Sequence, residues 1–364
     1  MAGHDESIAP VVGDDAAGAR EGLGRITADR RRLTISIVLG LLLAAGVILL
    51  IGKASGLAKL TARLAEAHGG WLAFSLAAQV VSIAGYVVAF RGMVALGGRI
   101  RLGAGTTTHI VLASLGATRL LAAAGAGGLA VNYWALRRLR IRARDSVVRV
   151  LVLNTVLYSV FGLAGASSAL VLLVSSSAPA GMTIAWIAVV SVCLVAAAWV
   201  SSPTRAERLS ADPGPRAGGN RVATTLRRGA ASAVAAVVAT RIVFHDPRRH
   251  AGLIGGAAAY WAGDIACLGL GLRAFDVHVG VATVVLGYVT GYVANVLPLP
   301  TGGVGGVDAA MTFALNALGV PLQDALAGVI AYRAIGFWLP TIPGVVALVR
   351  LPQLGRVLDG IAGG

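Results

Sequence analysis

The chain has 364 residues, 57% hydrophobic and only 13% charged, with 31 basic against 16 acidic side chains and a formal charge of +15. Its mean hydropathy is +0.80. A soluble domain carries roughly 25% charged residues, so a soluble enzyme of this length is excluded, and long apolar runs exclude disorder, collagen and coiled coil. The class that remains is an all-α, polytopic integral membrane helical bundle. The basic residues cluster between apolar runs, as the positive-inside rule expects of loop charge; nucleic acid is not an expected partner. Cys193 and Cys267 both lie inside apolar runs, and no disulfide framework or metal-ligand spacing is present.

Residues 1–32 are polar and end in Arg30-Arg31-Arg32. They read as a disordered cytoplasmic tail before an uncleaved first span, with residues 33–351 forming the membrane domain and 352–364 a short tail. Crossing a core of about 30 Å takes roughly 20 helical residues. The segments Leu33–Gly52, Trp71–Phe90, Val147–Val174, Met182–Val200, Ala251–Leu272, Val279–Leu297 and Leu322–Val349 qualify as full spans.

Two further apolar stretches are expected to be re-entrant or broken helices. Thr106–Leu136 would be roughly 46 Å long as one helix, yet Gly125, Gly127 and Gly128 interrupt it and it contains Arg119. Pro298–Leu318 opens with Pro298, Pro300, Gly302, Gly303, Gly305 and Gly306. Irregular backbone survives at membrane depth only where protein or water covers it. If the first stretch dips in and returns, the arginines flanking it (Arg91, Arg99 and Arg101 before, Arg137 to Arg149 after) share one side. Gly229–Phe244 is apolar but short, and is expected to lie in the interface or dip partway. If it crossed, the second half would invert; the side of the C-terminus stays open.

The same unit occurs twice, as Ala124–Phe161 and Thr301–Pro340, within repeat units of roughly 71–174 and 251–349. Each runs from a Gly-rich turn through a short apolar helix and a polar break to a long span. The aligned tails pair Leu139 with Leu318, Asp145 with Asp324, Asn154 with Arg333 and Tyr158 with Phe337; a gap in the heads sets Asn132 opposite Asp308. Transporters built from such repeats bind substrate near midplane, between discontinuous helices.

Five residues are candidates for a substrate-binding cavity within the membrane. Asp308 follows the second Gly-rich turn, as a first-turn acid favoured by the helix dipole or a cavity-facing carboxylate. Arg333 lies mid-span, where a charge needs a partner; it is a structural ion-pair member with Asp308 or Asp324, or a phosphate ligand. Arg119 either snorkels or touches a headgroup. Asp264, deep in its span beside Tyr260 and Trp261, is a functional carboxylate or a hydrogen-bonded acid between helices. Asn132 is interhelical glue or part of the same cavity. The glycines and prolines named above serve as hinges: Gly127, Gly128, Pro298, Pro300, Gly302, Gly303, Gly305 and Gly306. No nucleophile elbow, P-loop or zinc-protease motif occurs, so an enzyme, a metal and a cofactor are not expected.

The block Pro298-x-Pro300, Gly302-Gly303-Val304-Gly305-Gly306-Val307-Asp308, Gly319-Val320-Pro321, Tyr332-Arg333 and Phe337-Trp338-Leu339-Pro340 resembles the flippase-like transmembrane domain of the lysyl-phosphatidylglycerol synthase family. Gly127-Gly128-Leu129-Ala130-Val131-Asn132 resembles the matching motif of the first repeat. Relatives commonly carry Glu where this chain has Asp308. The resemblance implies a stand-alone member, lacking the soluble aminoacyl-transferase domain, that moves or recognises a lipid between leaflets of the plasma membrane. The lipid would be a phospholipid, an aminoacyl-lipid or a polyprenyl-linked lipid. The competing expectations are a non-transporting partner of a lipid-modifying or glycosyl-transferring enzyme, and a small-solute secondary transporter.

Overall fold

The computed structural model describes residues 65–96, 100–120, 126–202, 204–205, 221–296 and 305–363. The tail 1–32, the expected span Leu33–Gly52 and the hinge residues Pro298, Pro300, Gly302 and Gly303 lie outside them. Every regular element among the described residues is helical: α1 (Gly69–Val94), α2 (Ala104–Leu120), α3 (Ala126–Arg138), α4 (Ala143–Val174), α5 (Ala180–Val200), α6 (Arg221–His245), α7 (Ala251–Arg273), α8 (Val281–Tyr292, continued by a 3-10 turn to Val296) and α9 (Gly306–Ala317). They are followed by α10 (Leu322–Val349), which contains a π-turn at Arg333–Trp338, and α11 (Leu351–Gly363).

Among the described residues, five helices are long and apolar enough to cross a bilayer: α1, α4, α5, α7 and α10. They match five of the seven expected spans. The sixth, Val279–Leu297, is different. It folds as 12 α-helical residues and a four-residue 3-10 turn, about 18 Å of α-helix, and packs antiparallel on α9, Gly287 meeting Leu315 and Gly291 meeting Met311. It is one arm of a hairpin whose other arm is α9. The first half holds the counterpart: α2 packs antiparallel on α3, with Ser114 Oγ donating to Gly128 O at 3.2 Å and a Cβ on Gly128 running into Thr118. At 12 to 17 residues, none of these four helices reaches the roughly 30 Å of a bilayer core.

Backbone hydrogen bonds recur between the halves in the register Leu139–Leu318. The turn after α3 has Leu139 N–H on Ala135 O (3.1 Å), Arg140 N–H on Arg137 O (3.1 Å) and Ile141 N–H on Leu136 O (3.2 Å). The turn after α9 has Leu318 N–H on Ala314 O (3.2 Å), Gly319 N–H on Asn316 O (3.0 Å) and Val320 N–H on Leu315 O (3.1 Å). Arg140 and Gly319 are both left-handed, at φ 56° and 91°. Even the side-chain cap repeats: Arg137 reaches Ile141 O at 2.6 Å and Asn316 reaches Val320 O at 2.9 Å.

The halves run in opposite directions. α1 and α7 form the closest interface, and its contacts pair Ser75 with Cys267, Ser82 with Gly263, Gly85 with Gly256 and Gly92 with Leu253, an antiparallel order. Small residues on both helices allow this approach, so that packing rather than side-chain bulk holds the pair. α2 likewise runs antiparallel to the end of α10, from His109 at Ala347 O (3.2 Å) to Gly116 against Gly344.

Further contacts bring Arg138, Arg149 and Arg241 to one face. Arg149 donates to Val94 O at 2.8 Å, joining the start of α4 to the end of α1. Arg138 pairs with Asp359 at 2.5 Å, placing α11 beside the end of α3. The C-terminal helix therefore sits on the basic face. Arg241 of α6 donates to Ser201 O at 3.3 Å, so α6 ends on the face where α5 ends, and α7 starts there. α6 is longer than the apolar stretch Gly229–Phe244, and its Ala231, Ala236 and Val243 are buried.

A Cβ on Gly85 would run into the backbone of Tyr260, whereas one on Gly70 meets nothing within 4 Å. Gly85→Leu should lower stability by at least about 1–3 kcal/mol through overpacking, read as a lower thermal midpoint in detergent. Gly70→Ala should leave the midpoint unchanged or slightly raised.

Candidate functional site

The site begins with a missing donor. Pro340 has no N–H, so the carbonyl of Gly336, four residues earlier, loses its α-helical partner. The chain answers by widening into the π-turn, in which Leu339 N–H bonds Ala334 O, five residues back. Arg119, in the last turn of α2, supplies the rest. Its guanidinium donates to Gly336 O at 2.9 Å, to Phe337 O at 2.6 Å and to Thr341 Oγ1 at 3.2 Å. Thr341 also donates to Phe337 O at 2.6 Å. An arginine from the first half thus caps the broken helix of the second.

Arg333 opens the same π-turn and is 9% exposed. Its Nε donates to Asp308 Oδ1 in a short charged bond. Asp308 Oδ2 accepts the Gly305 N–H at 3.0 Å, a carboxylate at the third position of α9 reaching back to its start. Gly305 has φ 84°, a left-handed conformation that a side chain resists. The carboxylate therefore satisfies a helix N-terminus and neutralises a buried arginine at once. The guanidinium carbons of Arg119 and Arg333 lie 4.9 and 4.6 Å from the centre of the Phe337 ring, so both cations pack against one aromatic ring.

Asp264 is one residue along the network. Its Oδ2 accepts the Tyr332 hydroxyl at 2.9 Å and the Tyr288 hydroxyl in a short bond. Around it stands an aromatic wall. Trp261 packs 4.6 Å from Phe161, 4.7 Å from Tyr260 and 5.3 Å from Tyr292, and its indole donates to Leu157 O at 2.8 Å.

Of the residues expected from sequence, Arg119, Arg333 and Asp308 converge on the π-turn, and Asp264 joins them through Tyr332. Asn132 does not. It donates to the Tyr86 hydroxyl at 3.2 Å, while its Oδ1 has no partner. Gly127 and Gly128 are buried in the first turns of α3, and Gly305 and Gly306 start α9. Tyr288 and the role of Pro340 were not anticipated. Pro340 was a usable signal, because a proline inside an apolar run always frees the carbonyl four residues before it. Tyr288 had none: it lies 24 positions from the acid it binds. Among the described residues no group of three or more His, Cys, Asp or Glu gathers that could hold a metal.

The family described as the lysylphosphatidylglycerol synthase TM region matches residues 37–344. The chain belongs to that family. Membership makes it a multi-pass membrane protein tied to lipid metabolism or lipid translocation, and membrane lipids are its surroundings. The matched range takes in both hairpins, the π-turn and every residue of the Arg119–Arg333–Asp308 cluster. Among curated proteins, none matches this sequence.

Arg119→Ala should leave Gly336 O without a donor and cost about 1–3 kcal/mol of stability, with Arg119→Lys recovering part of it. Arg333→Ala should cost about 3–5 kcal/mol by stranding Asp308. In a double-mutant cycle with Asp308→Ala the two losses should fall well short of adding, as read from thermal or denaturant unfolding of the purified protein.

Proposed function

We propose that this protein is a lipid translocase of the plasma membrane, moving a phospholipid, aminoacyl-lipid or polyprenyl-linked lipid between leaflets, without enzymatic chemistry of its own. The observation that carries the reading is the meeting of two hairpins, α2–α3 and α8–α9, at one broken helix. They are packed in halves of opposite direction, so the hairpins enter from opposite faces. Each contributes one charged group, Arg119 or Asp308, to the π-turn of α10. Such an arrangement can exchange which hairpin closes off the centre, as alternating access requires. The basic face would be cytoplasmic by the positive-inside rule, with the N-terminus on that side.

The polar centre suits a headgroup, while acyl tails need no protein-lined path and can stay in the bilayer. Two arginines beside one aromatic ring favour an anionic, phosphate-bearing headgroup, because a guanidinium matches phosphate geometry. The path between leaflets would be downhill or driven by a gradient.

The test is reconstitution of the full chain in vesicles containing fluorescent phosphatidylglycerol, followed by leaflet-specific quenching. Flipping faster than in protein-free vesicles is the expected result, lost in Arg119→Ala and weakened in Arg119→Lys. No acceleration for any anionic or polyprenyl lipid would overturn the reading.

A further inference from the structure

Four described charged residues meet in the interior of the bundle: Arg119, Arg333, Asp308 and Asp264. Arg333 is bonded to Asp308, and Arg119 is bonded to carbonyls. Asp264 has no cation bonded to it; both of its hydrogen bonds come from neutral phenols and fall on one oxygen. It is 6% exposed and sits midway along α7. With Asp264 ionised the four charges sum to zero. With Asp264 carrying a proton, the interior is left with one positive charge, which is expensive in a bilayer unless an anion offsets it.

An anionic headgroup arriving at the π-turn brings that one negative charge. We propose that Asp264 is a proton-binding site linked to the occupancy of the π-turn by an anionic headgroup, so that one proton enters the core with each headgroup. The proposal rests on the translocase reading and supplies its energy source, a proton gradient. In the step, a proton from bulk water forms an O–H bond on Asp264, and the same proton returns to water when the headgroup leaves; nothing is oxidised or reduced. The linkage is reciprocal: whatever raises proton occupancy raises affinity for the anion by the same factor.

The groups that face Asp264 are accounted for element by element. α10 presents Tyr332 and Arg333, α8 presents Tyr288 and Tyr292, α2 presents Arg119, and α7 itself adds Tyr260 and Cys267. α1 and α4 bring Tyr86 and Tyr158, set behind Tyr260 and Trp261, and α9 brings Asp308 through Arg333. Asp264 is the acid in this set without a bonded cation, which makes it the group that changes charge. The short bond from Tyr288 and the bond from Tyr332 also tie that change to α8, an arm of the second hairpin, and to α10, the helix that follows it.

Two measurements on the full chain test it. In the first, phosphatidylglycerol is added to detergent-solubilised protein in weakly buffered solution containing a pH dye. The expected result, over a scan of pH, is uptake approaching one proton per lipid bound, absent with phosphatidylcholine and absent in Asp264→Asn. Tyr288→Phe keeps the carboxyl and removes one donor, so it must move the pH midpoint of the uptake while leaving its size unchanged; this variant decides the matter if Asp264→Asn fails to fold. No uptake by the wild type overturns the proposal. In the second, flipping of labelled phosphatidylglycerol is followed across the same pH range. Wild-type rates should rise by up to about tenfold per unit fall in pH, and the profile should flatten in Asp264→Asn. Flipping that ignores pH overturns the proton linkage and leaves the translocase standing. Proton uptake without flipping does the reverse.

Discussion

The carbonyl of Gly336 governs the architecture of this protein. Pro340 deprives it of a backbone donor in a region where water cannot substitute, and an unmet carbonyl in an apolar medium is costly. The nearest remedy within α10 is the π-turn, which rescues part of the ladder. The rest comes from Arg119, more than 200 residues away in sequence, through three donor contacts. Neither partner is stable alone: the arginine needs acceptors at depth, and the broken helix needs donors. Their mutual satisfaction joins the tip region of the first hairpin to the second half of the chain.

A second constraint follows from charge. Arg119 and Arg333 both lie against the ring of Phe337, and two cations at one ring require anions close by. Asp308 meets one of them directly while capping its own helix. Asp264 stands nearby with only phenol partners. The centre of the molecule is thus nearly balanced, and small changes in protonation or ligand occupancy alter its net charge by a whole unit.

The scaffold that holds this centre is made of small residues. Gly85, Gly92, Gly256 and Gly263 bring α1 and α7 into backbone contact, and Gly116 meets Gly344 between α2 and α10. In lipid there is no hydrophobic gain from bringing two apolar helices together, so close van der Waals contact must supply the attraction. The antiparallel order of the α1–α7 contacts, together with the recurring turn bonds after α3 and α9, gives the two halves matching parts in opposite sense. α5 stands apart from this core. It is mostly exposed to the surroundings; Trp186 packs against Gly165 of α4, and its bond to Thr290 Oγ1 at 2.9 Å ties it to α8.

The sequence by itself determined the membrane class, the five long spans that the described residues contain, and the polar residues that needed partners at depth. Those follow from local composition, because a run of apolar residues reports its own solvent. It also placed Arg119 and Asp308 on interrupted helices, since glycine breaks a helix wherever it stands, and Arg333 in the middle of a span, where a charge needs a partner. Only the tertiary structure decided that Val279–Leu297 is a hairpin arm, because hydropathy cannot distinguish a short helix ending at depth from one that continues. Only it decided the direction of the second half, which rests on contacts such as Gly85 with Gly256 and Arg241 with Ser201. The partners of Asp264 and the acceptors of Arg119 were likewise beyond reach from sequence, for one physical reason: a buried polar group is satisfied by whatever the fold brings within 3 Å, and distance along the chain carries no record of that.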